Sequence, residues 1–156
     1  MLLSDVAPPQ DLQLKPYVEI RERFERRTDR DFSAADDGRS DLLSRYRVGA
    51  TFRLRSKLSG ALEYQFAHDW LWSPKANLSG RNGDASLAYL TYADGGAAYT
   101  LGRYKVALGS QRLIGSLEWN NVARSFDGLR VEAGKWQAYA FKIGVARPMP
   151  RDADLE

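Results

Sequence analysis

Arginine recurs at every second position in two stretches of this 156-residue chain. Arg21 and Arg23 lie in the first; Arg45 and Arg47, then Arg53 and Arg55, lie in the second, and Glu19, Glu25 and Glu63 share their parity. Of the 23 basic residues, seventeen are Arg and six are Lys. A guanidinium is planar and offers several fixed donors, so this excess points to recognition of carboxylate or phosphate groups. Other chemistries find less support. Glu63 and Asp69 are the nearest thing to a glycosidase-like carboxylate pair, but charged strand faces ordinarily hold such pairs, and the chain is read as not an enzyme. A single histidine, His68, excludes a site that needs two imidazoles. The absence of cysteine removes disulfides, thiolate zinc sites and a thiol nucleophile. Gly95-Gly96-Ala97-Ala98 reads as a turn that precedes no helix, so no dinucleotide fingerprint exists. Neither a metal nor another cofactor is expected.

The elements that must position these side chains follow from a period of two. Over 45–56 the odd positions hold Arg45, Arg47, Gly49, Thr51, Arg53 and Arg55, and the even ones Tyr46, Val48, Ala50, Phe52 and Leu54. At 100° per residue these sets would smear around a helix, whereas at 180° they separate into a charged and an apolar face. The segment 17–27 alternates likewise, with Val18, Ile20 and Phe24 against Glu19, Arg21, Arg23 and Glu25, and 61–69 sets Leu62, Tyr64 and Phe66 against Glu63, Gln65 and Asp69. Further β-rich runs lie at 86–93, 98–107, 126–133 and 135–147. The expected fold is all-β, an antiparallel up-and-down meander of about seven strands with no helix.

Connections carry a second pattern. Long polar stretches at 28–41, 71–85 and 108–124 alternate with short turns at 57–60, 94–96 and around Gly134. In a meander all the long ones fall at one end, as in outer-membrane barrels with short periplasmic turns and long outer loops. Mean hydropathy is −0.49 and no run reaches the ~18 apolar residues of a membrane helix, but strands that alternate average to a hydrophilic score. On this reading the arginine face lines a wet lumen and the apolar face meets lipid, with Trp70, Trp72 and Tyr17 as interfacial aromatics and His68 in an interfacial or structural role. Glu22 and Arg26 interrupt the apolar face near its long-loop end, where charge costs little. Alternation alone fits the inverse orientation equally, a small soluble lipocalin-like barrel binding a small ligand inside. A nucleic-acid-binding sheet fits less well, because the aromatics of the first three strands mostly lie opposite the arginines rather than among them.

Residues 103 to 130 hold the most specific local pattern: Gly102-Arg103-Tyr104-Lys105, Gln111-Arg112-Leu113-Ile114-Gly115, Trp119-Asn120-Asn121 and Arg124-Ser125-Phe126-Asp127-Gly128. Over roughly 85–132 the chain resembles the alginate-export family of outer-membrane β-barrels, with Tyr104 in place of the family's usual Gln. The resemblance implies a porin-like conduit in the bacterial outer membrane that passes an anionic polysaccharide, alginate or a similar polymer. It implies outer-membrane lipid and periplasmic export proteins as partners, and no nucleic acid. It places Arg103 and Lys105 on the pore wall; Arg112 and Arg130 extend the expected anion-binding set, and Asp127 joins Glu19, Glu25 and Glu63 as an acidic partner. The 108–124 loop, with Gln111, Arg112, Trp119 and Asn120, either packs into the pore as a constriction or is merely anchored by Arg112 and Asp127. Family members have many more strands. The chain is therefore expected to be one region of an incomplete barrel, with strands over about 14–147, flexible ends at 1–13 and 148–156, and an export signal missing before Met1.

Overall fold

The computed structural model describes residues 11–27, 38–71 and 81–144. They form seven strands: β1 (Leu12–Arg27), β2 (Arg39–Leu54), β3 (Leu58–Asp69), β4 (Arg81–Asp94), β5 (Ala97–Tyr104), β6 (Ser125–Ala133) and β7 (Trp136–Gly144). Every neighbour in sequence is an antiparallel neighbour in one sheet, ordered β1 to β7. No helix occurs among the described residues. Among them β1 pairs only with β2 and β7 only with β6, so the sheet is open at both edges, compatible with part of a barrel. The all-β meander expected from the alternation is thus the observed fold.

Short turns at 55–57, 95–96 and 134–135 lie at one end of the sheet, and the connections 28–38, 70–80 and 105–124 leave from the other. Gly95 and Gly96 both have positive φ, 58° and 82°, as a two-residue hairpin of matching twist requires. Register then fixes the faces. Val18 stands opposite Val48, Val48 opposite Tyr64, and Leu62 opposite Ala88. This side is open: Val18 is 70% and Leu62 65% exposed, and Ile20, Phe24, Val48, Leu90, Tyr99 and Leu101 are exposed too. The charged side is covered: Arg45 is 4% and Arg47 3% exposed. Burial is inverted relative to a water-soluble protein, whose apolar side chains go inside.

Several boundaries differ from the sequence expectation. β2 begins at Arg39 inside the expected loop, because residues 39–44 show no clean alternation and are held extended by their partners on β1. Asn82 and Gly83, read as loop residues, lie in β4 opposite Ala67 and Phe66. A bulge at Glu63/Tyr64 shifts the β3–β4 register by one residue, so Ser86 and Glu63 both serve the charged side. β5 ends at Tyr104 rather than near 107, and β1 starts at Leu12. The expected first turn at 57–60 lies at 55–57, with Arg55 at φ 54°.

Tyr17 is not an interfacial aromatic. It lies across Gly49, whose Cβ would sit 2.9 Å from the ring, and its hydroxyl donates to Glu63 at 2.7 Å. Only glycine leaves room for that crossing. The aromatic belt at the long-loop end is instead a file of neighbours on the apolar side. Tyr46 lies 6.2 Å from Phe66, Phe66 lies 6.4 Å from His68, and His68 meets Trp70 edge-on at 4.3 Å. Trp70 donates through Nε1 to Ser44 Oγ at 2.6 Å, and Glu22 accepts from Ser44 and from the Tyr46 hydroxyl. Glu22 is therefore satisfied on the face it interrupts. Trp72, most of the first two long connections, residues 145–147 of the expected last strand, residues 1–10 of the end expected at 1–13 and all of 148–156 lie outside the described residues.

Candidate anion site on the charged face

What covers the arginines is the 105–124 connection. Its apolar residues Val106, Leu108 and Ile114 pack with Tyr104 and Phe126, joined by Tyr89, Tyr139 and Phe141. This small apolar cluster lies on the charged side of the sheet, and it tethers the root of the loop. Internal hydrogen bonds from Gln111 N to Leu108 O (2.9 Å), Arg124 N to Ser116 O (2.7 Å) and Asn120 N to Leu117 O (2.9 Å) shape the rest. The far end crosses to β3, where Asn121 Nδ2 donates to the His68 carbonyl at 3.1 Å.

Between root and far end, three consecutive carbonyls face guanidinium groups. Arg21 donates to Glu118 O and Asn120 O, each at 2.8 Å, and Arg45 Nη1 donates to the same two carbonyls at 2.9 and 3.2 Å. Arg23 donates to Trp119 O, its guanidinium lies 4.5 Å over the Trp119 ring, and it also pairs with Glu25 at 2.7 Å. The Glu118 side chain completes the docking. Its Oε2 lies 2.9 Å from Arg47 Nη1 and 3.6 Å from Arg45 Nη1, and its Oε1 lies 2.9 Å from Lys105 Nζ.

Underneath, the arginines are held by the strands. Arg45 forks onto Glu19 Oε1 through Nε at 3.0 Å and Nη2 at 2.6 Å. Arg47 reaches Glu19 at 3.2 Å, Gln65 at 2.8 Å and Glu63 at 3.6 Å. Glu63 also takes Ser86, Tyr17 and, at 3.3 Å, Lys105. Charge-assisted bonds of this kind order both partners. The arrangement can hold carboxylates on a fixed row of planar donors.

Of the sequence-derived residues, Arg21, Arg23, Arg45, Arg47, Lys105, Glu19, Glu25 and Glu63 thus meet in one cluster. Arg103 does not join it: it forks onto Asp127 at 2.7 and 3.0 Å and reaches Asp84 at 3.0 Å. Arg130 stands apart as well, 3.3 Å from Thr100 Oγ1 and 3.2 Å from Glu132, with its guanidinium 5.6 Å over Tyr104. Arg53 is exposed near the short-turn end, and Arg55 has left the strand for the turn, where it faces Asp11 at 3.5 Å. Arg112 is exposed on the loop, and Asp127 is taken by Arg103, so the expected Arg112 and Asp127 anchor is replaced by Glu118 and the 118–120 carbonyls. Glu118 belongs to no motif or alternating run in the sequence, although it is the one carboxylate between 105 and 124.

The docking has a pH dependence with a definite sign. Burial acts to raise the Glu118 pKa, but the Lys105 ammonium and then Arg47 outweigh it and hold the carboxyl below its ordinary value of 4.5. Its contribution is therefore complete above about pH 4.5 and fades as the pH falls through the lower docked value. Arg45 faces it too, and Glu19 and Glu63 share the same cations. A nitroxide on a cysteine placed at Leu113, in a chain without other cysteines, is expected to show a broad line at pH 7 and a narrowing one below the carboxylate range. A line that stays broad through and below that range contradicts docking through Glu118.

Compared with known proteins, the chain matches the sequence model of the family described as alginate export over residues 13–155. No curated protein and no solved structure matches it.

Proposed function

The chain belongs to the alginate-export family, and from that premise we propose that it forms part of the wall of an outer-membrane channel through which an anionic polysaccharide passes. The observation that carries the reading is the inverted burial: Val18, Ile20, Val48 and Leu62 are open while Arg45, Arg47 and Glu63 are covered. The exposed apolar face meets lipid, and the arginine-bearing face turns to the lumen. A lipocalin-like barrel would enclose the apolar face instead.

Strand length supports the same orientation. A bilayer needs about 9–11 tilted residues, and β1 and β2 each have 16. The surplus, at the long-loop end, holds Glu22, Arg26, Ser44 and the His68 and Trp70 pair, a mixed polar and aromatic zone suited to a membrane interface.

The function is passive conduction rather than catalysis. A polyuronate brings one carboxylate per sugar, and conduction needs sites that are favourable enough to enter and weak enough to leave. Lipid and polymer are the proposed partners of the two faces; nucleic acid is not proposed, since the file of Tyr46, Phe66 and Trp70 lies on the face opposite Arg45 and Arg47.

Reversal potentials in planar bilayers test the proposal. The channel whose wall includes this chain is expected to favour chloride over potassium, and the variant with Arg45 and Arg47 both replaced by Ser is expected to lose or invert that preference, because Glu19, Glu63 and Glu118 then stand without two of their cations. Anion selectivity that survives the double replacement removes the charged face from the conduction path.

A further inference from the structure

Glu118 occupies its position in a way the rest of the loop does not. Three cations from two parts of the chain, Arg45 and Arg47 on β2 and Lys105 at the root of the loop, converge on this one carboxylate. The arginines beneath are almost fully covered, at 5% and 3% side-chain exposure, whereas the Glu118 side chain is 42% exposed. The Glu118 side chain thus lies between the arginines and solvent, with its Oε1 buried 2.9 Å from Lys105 Nζ. Beside it, Arg47 Nη2 is buried and has no hydrogen-bond partner among the described residues. A buried guanidinium N–H left idle is costly, and a bidentate acceptor would use it.

We propose that Arg45, Arg47 and Lys105 form a carboxylate-binding subsite for a uronate sugar, that Glu118 is its resident occupant, and that cargo carboxylate and docked loop exclude one another there. The inference rests on the reading of the charged face as a lumen wall. An arriving uronate replaces Glu118 on the same donors while Glu118 moves into solvent, and the freed loop retains, besides the Arg23–Trp119 stacking and the Asn121–His68 hydrogen bond, the carbonyl contacts of 118–120 with Arg21, Arg23 and Arg45. Those are hydrogen bonds to neutral acceptors, weaker than the ion pairs they accompany. The loop is then docked when the wall is empty and released by the polymer it carries, and a neutral sugar has no means of releasing it.

Amide hydrogen exchange of 116–124 in the full chain in detergent micelles at pH 7 reads this directly. Oligogalacturonate at ten times its dissociation constant for the open form is expected to speed exchange about tenfold by mass action. Neutral maltooligosaccharide of equal length, and sodium chloride at matched ionic strength, are expected to leave it unchanged. Glu118→Gln is expected to exchange fast with or without the uronate, and Glu118→Asp to fall between. Calorimetry on the same samples separates the two levels of the argument. Uronate binding with unchanged or slowed loop exchange overturns the exclusion and leaves the conduit reading in place. Absence of uronate binding to both wild type and Glu118→Gln overturns the subsite and the conduit reading together. Equal acceleration by chloride overturns the subsite in favour of simple screening.

Discussion

Replacing Arg47 with methionine is expected to destabilise the protein by about 3–5 kcal/mol, the range seen when one partner of a buried ion pair is removed. Arg47 is the hub of the charged face. It is 3% exposed and touches Glu19, Gln65, Glu63 and Glu118. Methionine fills much of the same volume but offers no donor. Glu63 keeps Tyr17, Ser86 and Lys105, so it stays partly satisfied. Gln65 loses its 2.8 Å donor, and Glu118 keeps Lys105 and a distant Arg45. Arg53→Met, on the same strand but exposed, is expected to change stability by no more than about 0.5 kcal/mol. Urea unfolding followed from lipid vesicles gives both numbers. Adding Glu118→Gln to Arg47→Met is expected to recover part of the loss, since the two substitutions share one interaction and are not additive. Equal, small effects at 47 and 53 contradict a closed ionic network.

That contrast between two arginines of equal parity shows where sequence reading stops. Alternation told Arg47 and Arg53 from Val48 and Phe52, because the strand period is a local property of the chain. The meander and its one-sided long connections were legible for the same reason, through Gly95-Gly96 and the lengths between alternating runs. Partnership is not local. Nothing near Arg103 announces that Asp84 and Asp127 hold it, and nothing near Tyr17 says that it crosses Gly49 to reach Glu63. The shift at Glu63/Tyr64 is invisible as well, since a bulge is a mismatch between two strands rather than a pattern in one.

The loop illustrates a further limit. Its Gln-Arg-Leu-Ile-Gly and Trp-Asn-Asn segments drew attention to Arg112 and Trp119, yet Arg112 points to solvent and the docking falls to main-chain carbonyls and Glu118. Carbonyls carry no sequence signature. A count of charges within 105–124 was the available clue, since a lone carboxylate facing a row of arginines has few other places to go.

The paired state of the arginines also bears on how the charged face works. A bare ladder of guanidinium groups would hold a polyanion tightly at every rung. Here Glu19 and Glu63 neutralise Arg45 and Arg47 in part, so each cation offers an incoming carboxylate a shared rather than a whole charge. On the proposed conduit reading, weak, repeated sites of that kind suit movement of a polyanion along the wall.

Arginine on the opposite face is the second large effect expected. Val48 lies six residues from the turn that follows Leu54, about 20 Å along a strand at ~3.3 Å per residue. At the ~40° tilt of membrane barrels that is about 15 Å of depth, half of a ~30 Å hydrocarbon core. Val48→Arg is accordingly expected to cost about 2–4 kcal/mol in urea unfolding from phospholipid vesicles, the penalty for a cation at the bilayer midplane. Phe24 is exposed on the same face but lies beside Leu42 near the long-loop end, and Phe24→Arg is expected to cost only about 0–1 kcal/mol, as at an interface. In a soluble sheet the order reverses. There Val48, already 59% exposed, accepts arginine within about 0.5 kcal/mol, and the larger loss follows removal of the bigger phenylalanine. The sign of the difference between positions 48 and 24 therefore decides which solvent the apolar face meets, and it does so without reference to any cargo.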